Sequence, residues 1–308
     1  MSKARAFFDG RVVVPPSPLS FAASSVVMVV PSILYLTHLQ PHCSSWTSLI
    51  EAILFLTQFV FMFRAAFRNP GILPPNDPRC PLRMPIRSIT LNNVSIPLRV
   101  CGACNRICSP REFHCTYCNH CVAHFDHHCS FLGTCVGRRN YRDFFFYVSA
   151  LLVHVLFMVV VGSRVAWDLS VEGQTDIVEG MLQAQWVPLV VVVYGCVFGF
   201  LLMILWSMHV ILLTRGETTA ECILNTWVVD DEFNTQNPFH KDCVSHVKAA
   251  LHGWPEGEEL DPNCQVPCDP PPVIMTLENA SILYSPTSSS PSIVQQQGKG
   301  EENASVFD

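Results

Sequence analysis

Charge is scarce in this chain. Asp, Glu, Lys and Arg make up 14% of its 308 residues, against roughly 25% in soluble globular domains. So little charge argues against a water-soluble globule. Two stretches, Gln40 to Ser45 and Trp167 to Trp186, have no Lys or Arg, and Val187 to Leu213 has no charge of either sign. No basic-aromatic pattern is present, which excludes nucleic acid as an expected partner. The apolar blocks lack paired His or Asp and offer only the isolated His154 and His209, which disfavours a metal transporter. No A-x-A-like cleavage site follows the polar, mildly basic stretch from Met1 to Pro18, so no secretory signal is expected. A disulfide scaffold, usually short and secreted, is disfavoured with it. The formal net charge of −6 decides little, because membrane orientation follows the distribution of Lys and Arg.

Apolar residues are abundant, at 49%, and fall in blocks. These run over Leu19 to Leu39 (with Pro31 inside), Trp46 to Phe63, Phe144 to Val165 and Val187 to Leu213. About 20 helical residues cross a hydrocarbon core of ~30 Å, so each block is a candidate span. The short link after the first block makes the first two an antiparallel hairpin. Arg64, Arg68, Arg79, Arg83, Arg87 and further arginines lie between the second and third blocks, and Lys3, Arg5, Arg11, Arg215, Lys241 and Lys248 flank the outer ends. The positive-inside rule then places both termini and the central loop in the cytosol.

The expected fold class is an all-α integral membrane protein. Four transmembrane helices carry a small zinc-stabilised cysteine-rich domain between helices 2 and 3. The expected segments are a cytosolic N-terminus (1–18), helices 1 and 2 (19–66), a cytosolic loop (67–143) with its cysteine-rich domain at about 99–143, helices 3 and 4 (144–213), a cytosolic segment (214–254) and a disordered Pro-, Ser- and Gln-rich tail (255–308). Asn69-Pro70-Gly71 breaks the second helix, Pro74 to Pro78 reads as a loop, and the alternation from Ser88 to Arg99 suggests a short strand. Glu51 and His209 lie near block ends and are expected to reach the interface. His154 is expected to hydrogen-bond another helix. The Asn93, Asn279 and Asn303 sequons are chance matches on a cytosolic face.

The fifteen cysteines concentrate between Cys101 and Cys135, interleaved with histidines. Cys101-x-x-Cys104 and Cys115-x-x-Cys118 are knuckles, and His114, Cys121, His128 and Cys135 complete two sets of four. Thiolate and imidazole at this spacing suit tetrahedral zinc. Counting alone does not pair knuckles with partners. An interleaved hairpin arrangement, Cys101, Cys104, His114 and Cys121 on one ion and Cys115, Cys118, His128 and Cys135 on the other, is geometrically natural. Left over are Asp126, His127 and Cys129, the composition of an orienter, a base and a nucleophile. A spare structural thiol at Cys129 accounts for the same spacing equally well.

With these residues in place the chain resembles the DHHC cysteine-rich domain of protein S-acyltransferases (palmitoyltransferases). The likeness is carried by Cys101-x-x-Cys104, His114-Cys115-x-x-Cys118-x-x-Cys121, Asp126-His127-His128-Cys129 and Cys135-Val136-Gly137-x-x-Asn140-x-Arg142-x-Phe144. Asn69-Pro70-Gly71, Thr218-Thr219-Ala220-Glu221 and Asn237-Pro238-Phe239 resemble the family's other motifs. The resemblance implies an acyl-enzyme thioester on Cys129, formed from a long-chain acyl-CoA such as palmitoyl-CoA, with His127 as base and Asp126 as its orienter. It implies two structural Zn2+ ions with His128 as a ligand; Arg138 and Arg139 are placed to meet the CoA phosphates, and a general positive-inside surface accounts for them at least as well. It also implies membrane-associated substrate proteins with acceptor cysteines and a Golgi or endoplasmic reticulum location. The alternative is a catalytically weak or inactive zinc-binding scaffold of the same family. Ser130-Phe131 replaces the family's Pro-Trp. Thr134 and Asn69 stand for Asn and Asp, and Asp242 and His246 for Gly and Asn.

Overall fold

The computed structural model describes residues 5–76, 88–92, 94–172, 186–224, 226 and 237–252. These all belong to one compact unit, Met1–Val266. The 255–308 tail, most of the link between blocks three and four and the Asn93, Asn279 and Asn303 sequons lie outside them.

Among the described residues, four helices are long and apolar enough to cross a membrane. They are α1 (Pro18–Leu34), α2 (Ser45–Phe67), α3 (Tyr141–Glu172) and α4 (Trp186–Arg215). A π turn (Tyr35–Leu39) and a 3-10 turn (Gln40–His42) carry α1 to the short link. Their apolar residues divide between outward faces, such as Ile53, Val160 and Phe200, and a shared interior. α3 lies centrally and packs along both α2 and α4. A Cβ on Gly195 would meet Val159 at 2.5 Å, so α3 and α4 approach there only because the position is glycine.

The all-α expectation is corrected by eleven short strands among the described residues, all paired antiparallel. The reason is local: closely spaced ligands need tight reversals, which helices cannot supply. Near the N-terminus β1 (Arg5–Phe7) pairs with β2 (Val12–Val14). β3 (Ile72–Leu73) leaves α2. The alternation from Ser88 is a hairpin of two strands, β4 (Ser88–Leu91) and β5 (Val94–Pro97), turned at Asn92 with φ 49°. The cysteine-rich domain stacks three more hairpins. These are β6 (Arg99–Cys101) with β7 (Arg106–Cys108), β8 (Phe113–Cys115) with β9 (His120–Val122), and β10 (His127–Cys129) with β11 (Thr134–Val136). Beyond α4 come the short α5 (Thr219–Ile223) and α6 (Cys243–His252).

The domain is clamped to the bundle by polar contacts. Asn140 Nδ2 donates to the carbonyls of Ala65 (2.8 Å) and Cys135 (2.9 Å), and its Oδ1 accepts from Gly137 N–H. Asp143 on α3 takes Arg64 of α2 at 2.9 Å and Arg68, the residue after it, at 3.0 Å. Asn69 Oδ1 caps the amides of Gly71 and Ile72, and Nδ2 donates to Gly10 carbonyl. An aspartate there would keep the caps but lose that donor. Asp242 caps α6 through Ser245 N–H at 2.8 Å, and His246 Nε2 accepts from Lys241 N–H.

Two further expectations are corrected. Glu51 and His209 do not reach the interface: they are 3% and 1% exposed, turned between helices. His154 Nε2 faces Glu51 Oε1 on α2 at 3.6 Å.

Candidate active site and metal centres

Residues 101–104 and 115–118 form equivalent turns. Each ends on an asparagine in the left-handed region, Asn105 at φ 48° and Asn119 at φ 53°, a conformation Asn tolerates better than most side chains. In each turn the second cysteine's N–H donates to the first sulfur, at 3.4 Å. Opposite each turn stands a cross-strand pair, His114↔Cys121 in β8–β9 and His128↔Cys135 in β10–β11. His114 Nδ1 lies 3.4, 3.3 and 3.8 Å from the sulfurs of Cys101, Cys104 and Cys121. His128 Nδ1 lies 3.6, 3.4 and 3.8 Å from those of Cys115, Cys118 and Cys135. Each set could hold a metal ion, with its ligand atoms within 4.8 Å of one another.

The β8–β9 hairpin serves both clusters. Adjacent strand residues point to opposite faces, so His114 turns to one cluster and Cys115 to the other. Tyr117 stacks on the His128 ring at 4.8 Å between centroids. Cys108, outside both sets, is buried beside Cys104 and Cys121.

The same alternation divides the central tetrapeptide. His128 faces the second cluster, while His127 and Cys129 share the other face of β10. His127 Nδ1 donates to Asp126 Oδ2 at 2.7 Å, and Cys129 lies close enough to its side chain to act on its charge. The site thus joins Asp126, His127 and Cys129 as a connected set. Cys129 is 8% exposed and belongs to the main apolar cluster with Met28, Leu132, Phe144, Tyr147 and Leu151. The thiol therefore sits at the junction of the cysteine-rich domain and the helix bundle.

Electrostatics follow from these contacts. Burial alone would raise the Asp126 pKa, yet the His127 hydrogen bond and charge and the Thr219 N–H hold it at about 2. Burial likewise works against the His127 imidazolium, but Asp126 and Cys129 push it up to about 10.

Thr219 secures Asp126 from the far side. Its N–H donates to Oδ1 at 2.9 Å and its hydroxyl to Oδ2 at 2.8 Å. Thr219 opens α5, whose capping box pairs Thr218 and Glu221. Glu221 in turn takes the Arg111 guanidinium at 2.9 and 3.2 Å. Arg111 also donates to Gly216 carbonyl at 2.6 Å and to His124 Nε2 at 3.0 Å, and lies over the Phe239 ring. Asn237-Pro238-Phe239 thereby reaches the site through Arg111. Arg111 was missed by sequence reasoning because its partners lie about a hundred residues away. His209 was also missed: one of its nitrogens lies within 4.8 Å of ligand atoms of Asp126 and His127. The signal was available, since an ionisable residue inside a span is a functional candidate by default.

The fold and the site define a class: a bundle of membrane-length helices bearing, at one end, a double thiol–imidazole domain that presents a cysteine beside an Asp–His pair. Residues 94–226 match the family model of the DHHC palmitoyltransferases. It is 32% identical over 222 residues to palmitoyltransferase erf2 of Aspergillus fumigatus, covering 65% of this chain and 36% of that protein. Against palmitoyltransferase ZDHHC5 of Homo sapiens it is 28% identical over 256 residues, 80% of this chain and 34% of the other. Against palmitoyltransferase ZDHHC8 of Mus musculus it is 29% identical over 209 residues, 65% and 26%. The chain thus spans about a third of the length of the curated relatives it matches.

Proposed function

We propose that this chain is a protein S-acyltransferase that moves a long-chain acyl group from acyl-CoA to cysteines of membrane-associated proteins. The observation that carries the reading is the hydrogen-bonded line from Thr219 through Asp126 to His127, with the Cys129 thiol beside His127 and set against the apolar bundle.

In the first step the Cys129 thiolate attacks the thioester carbonyl of acyl-CoA. The carbon–sulfur bond to CoA breaks, and the departing thiolate takes a proton from His127. In the second step the acceptor cysteine gives its proton to His127 and attacks the Cys129 thioester, which returns the Cys129 thiolate. Asp126 holds the imidazole in one orientation throughout and balances its charge. The acyl chain lies among Met28, Tyr147, Leu151 and Met158, where each buried CH₂ contributes about 0.8 kcal/mol.

The two clusters suit Zn2+, with three thiols and one imidazole each. Cys101, Cys104, His114 and Cys121 would hold one ion, and Cys115, Cys118, His128 and Cys135 the other. With four protein donors in each set, zinc would fix the hairpins and leave no position for substrate. On the Lys and Arg bias, both termini and the cysteine-rich loop lie in the cytosol and the links after α1 and α3 on the far side; the family resemblance makes the membrane that of the Golgi or endoplasmic reticulum. Arg138 and Arg139 lie at the cytosolic mouth, where the CoA phosphates arrive.

The test is incubation of detergent-purified protein with labelled palmitoyl-CoA. Wild type takes up hydroxylamine-sensitive label and Cys129→Ala takes up none. Equal labelling of the variant would remove Cys129 from the site, and a folded, zinc-loaded wild type that takes no label would favour the scaffold.

A further inference from the structure

His209 has no place in the mechanism above. It is 1% exposed, inside α4 and six residues before Arg215, so about 9 Å from the helix end at 1.5 Å per residue. A buried imidazole in an apolar helix is costly unless its nitrogens are used. Nδ1 lies 3.3 Å from the Tyr141 hydroxyl. Nε2 is buried without a hydrogen-bond partner. The ring stands 6.0 Å from that of His127 and edge-on to Phe144 at 5.0 Å, centroid to centroid. One ligand atom from each of Asp126, His127 and His209 falls within 4.8 Å of the others.

We propose that Asp126, His127 and His209 form a third divalent-metal site, separate from the two thiol clusters, at which a Zn2+-type ion inhibits acyl transfer. Two imidazoles and a carboxylate are a common donor set for first-row divalent ions. Binding is a substitution: the ion replaces the proton shared by His127 Nδ1 and Asp126 Oδ2, and that proton passes to solvent. No electron moves. With the ion in place His127 no longer carries protons to and from sulfur.

The geometry also sets the order of filling. Asp126 already accepts from Thr219 N–H, Thr219 hydroxyl and His127, so the ion must displace a formed hydrogen bond. The thiol clusters present three sulfurs and an imidazole each and fill first. The third site fills only when free metal rises, which makes it regulatory rather than structural. Its inhibitory consequence rests on the acyltransferase reading; its metal stoichiometry does not.

The experiment uses the full chain in detergent with its two structural ions in place, titrated with buffered Zn2+ and, separately, Co2+. Wild type takes up a third, weaker equivalent, and labelling of Cys129 by palmitoyl-CoA is half-inhibited at the same free Zn2+. His209→Gln keeps a polar group beside Tyr141 but is a poor ligand. It retains two ions, loses the third, and needs at least about tenfold more Zn2+ for inhibition, the scale on which even outer-shell losses weaken metal sites. Retention of the two structural ions reports that the variant is folded. A wild type that stops at two equivalents, or a His209→Gln chain that binds the third as tightly, overturns the proposal. A wild type unlabelled in metal-buffered solution sinks the acyltransferase reading instead, and the third equivalent still decides the site.

Discussion

Thr219 grips both carboxylate oxygens of Asp126, one through its backbone N–H at 2.9 Å and the other through its hydroxyl at 2.8 Å. A residue beyond the last long helix thus holds the orienter of a histidine in the loop between α2 and α3. The hydroxyl bond is testable by itself. Thr219→Ala leaves the backbone bond, removes the other and frees one side of Asp126. A hydrogen bond to a charged group contributes about 1.5–3 kcal/mol, so Cys129 acylation slows about tenfold to a hundredfold. Thr219→Ser restores most of the rate. The check is the initial rate of palmitoyl-CoA labelling, and equal rates in all three proteins would remove Thr219 from the site.

Arg111 and Glu221 act on stability first. Their side chains are 6% and 0% exposed, and removing one partner of a buried pair costs about 3–5 kcal/mol. Arg111→Ala therefore lowers the melting temperature in detergent markedly and slows acylation, because α5 loses the anchor that aims Thr219. Arg111→Lys keeps the charge but not the fork that meets Glu221, Gly216 and His124 together, and recovers only part of the loss. A melting temperature unchanged in Arg111→Ala would contradict the network.

Metal content follows from the shared hairpin. Wild type binds two Zn2+ with structural affinity. Cys101→Ser opens only the first cluster and leaves one ion by elemental analysis. Cys115→Ser opens the second cluster, and by unpinning β8–β9 it also misplaces His114 and Cys121, so content falls well below one. Retention of a full ion by Cys115→Ser would show the clusters to be independent.

The Asp126–His127 pair gives stability a sign with pH. His127 is raised from its ordinary 6.5 to about 10. Its stabilisation is fully present below 6.5 and is lost as pH climbs through about 10. Wild type therefore loses melting temperature between neutral pH and pH above about 10. Asp126→Asn, without the carboxylate that raises His127, starts lower and loses less over that interval. Parallel curves for the two proteins would count against the ion pair.

Much of this site was legible in the sequence, because metal ligands and catalytic groups both depend on spacing. Four apolar blocks became four membrane-length helices, with α3 beginning three residues before its expected start at Phe144. The ligand sets expected from interleaving are the ones the hairpins bring together. Outside the Ser88 to Arg99 alternation, the strands were not legible: most are three residues long, too short for any periodicity to register. Glu51 and His209 were misplaced because position along a helix says how deep a residue lies but not which side it faces. The Arg111–Glu221 link was hidden for a third reason, since contacts across a hundred residues leave no local pattern. Phe131, standing where the family has Trp, is 54% exposed and touches none of the proposed ligands.

The alternation along β10 also forbids rearrangement of its letters. Exchanging His128 and Cys129 would preserve composition, charge and every donor type. It would nevertheless carry the thiol to the metal-facing side and an imidazole to the bundle-facing side. The product would be a four-thiol metal centre and a bundle face without its thiol. Order within the tetrapeptide, rather than its content, decides which side chain faces the metal cluster and which faces the bundle.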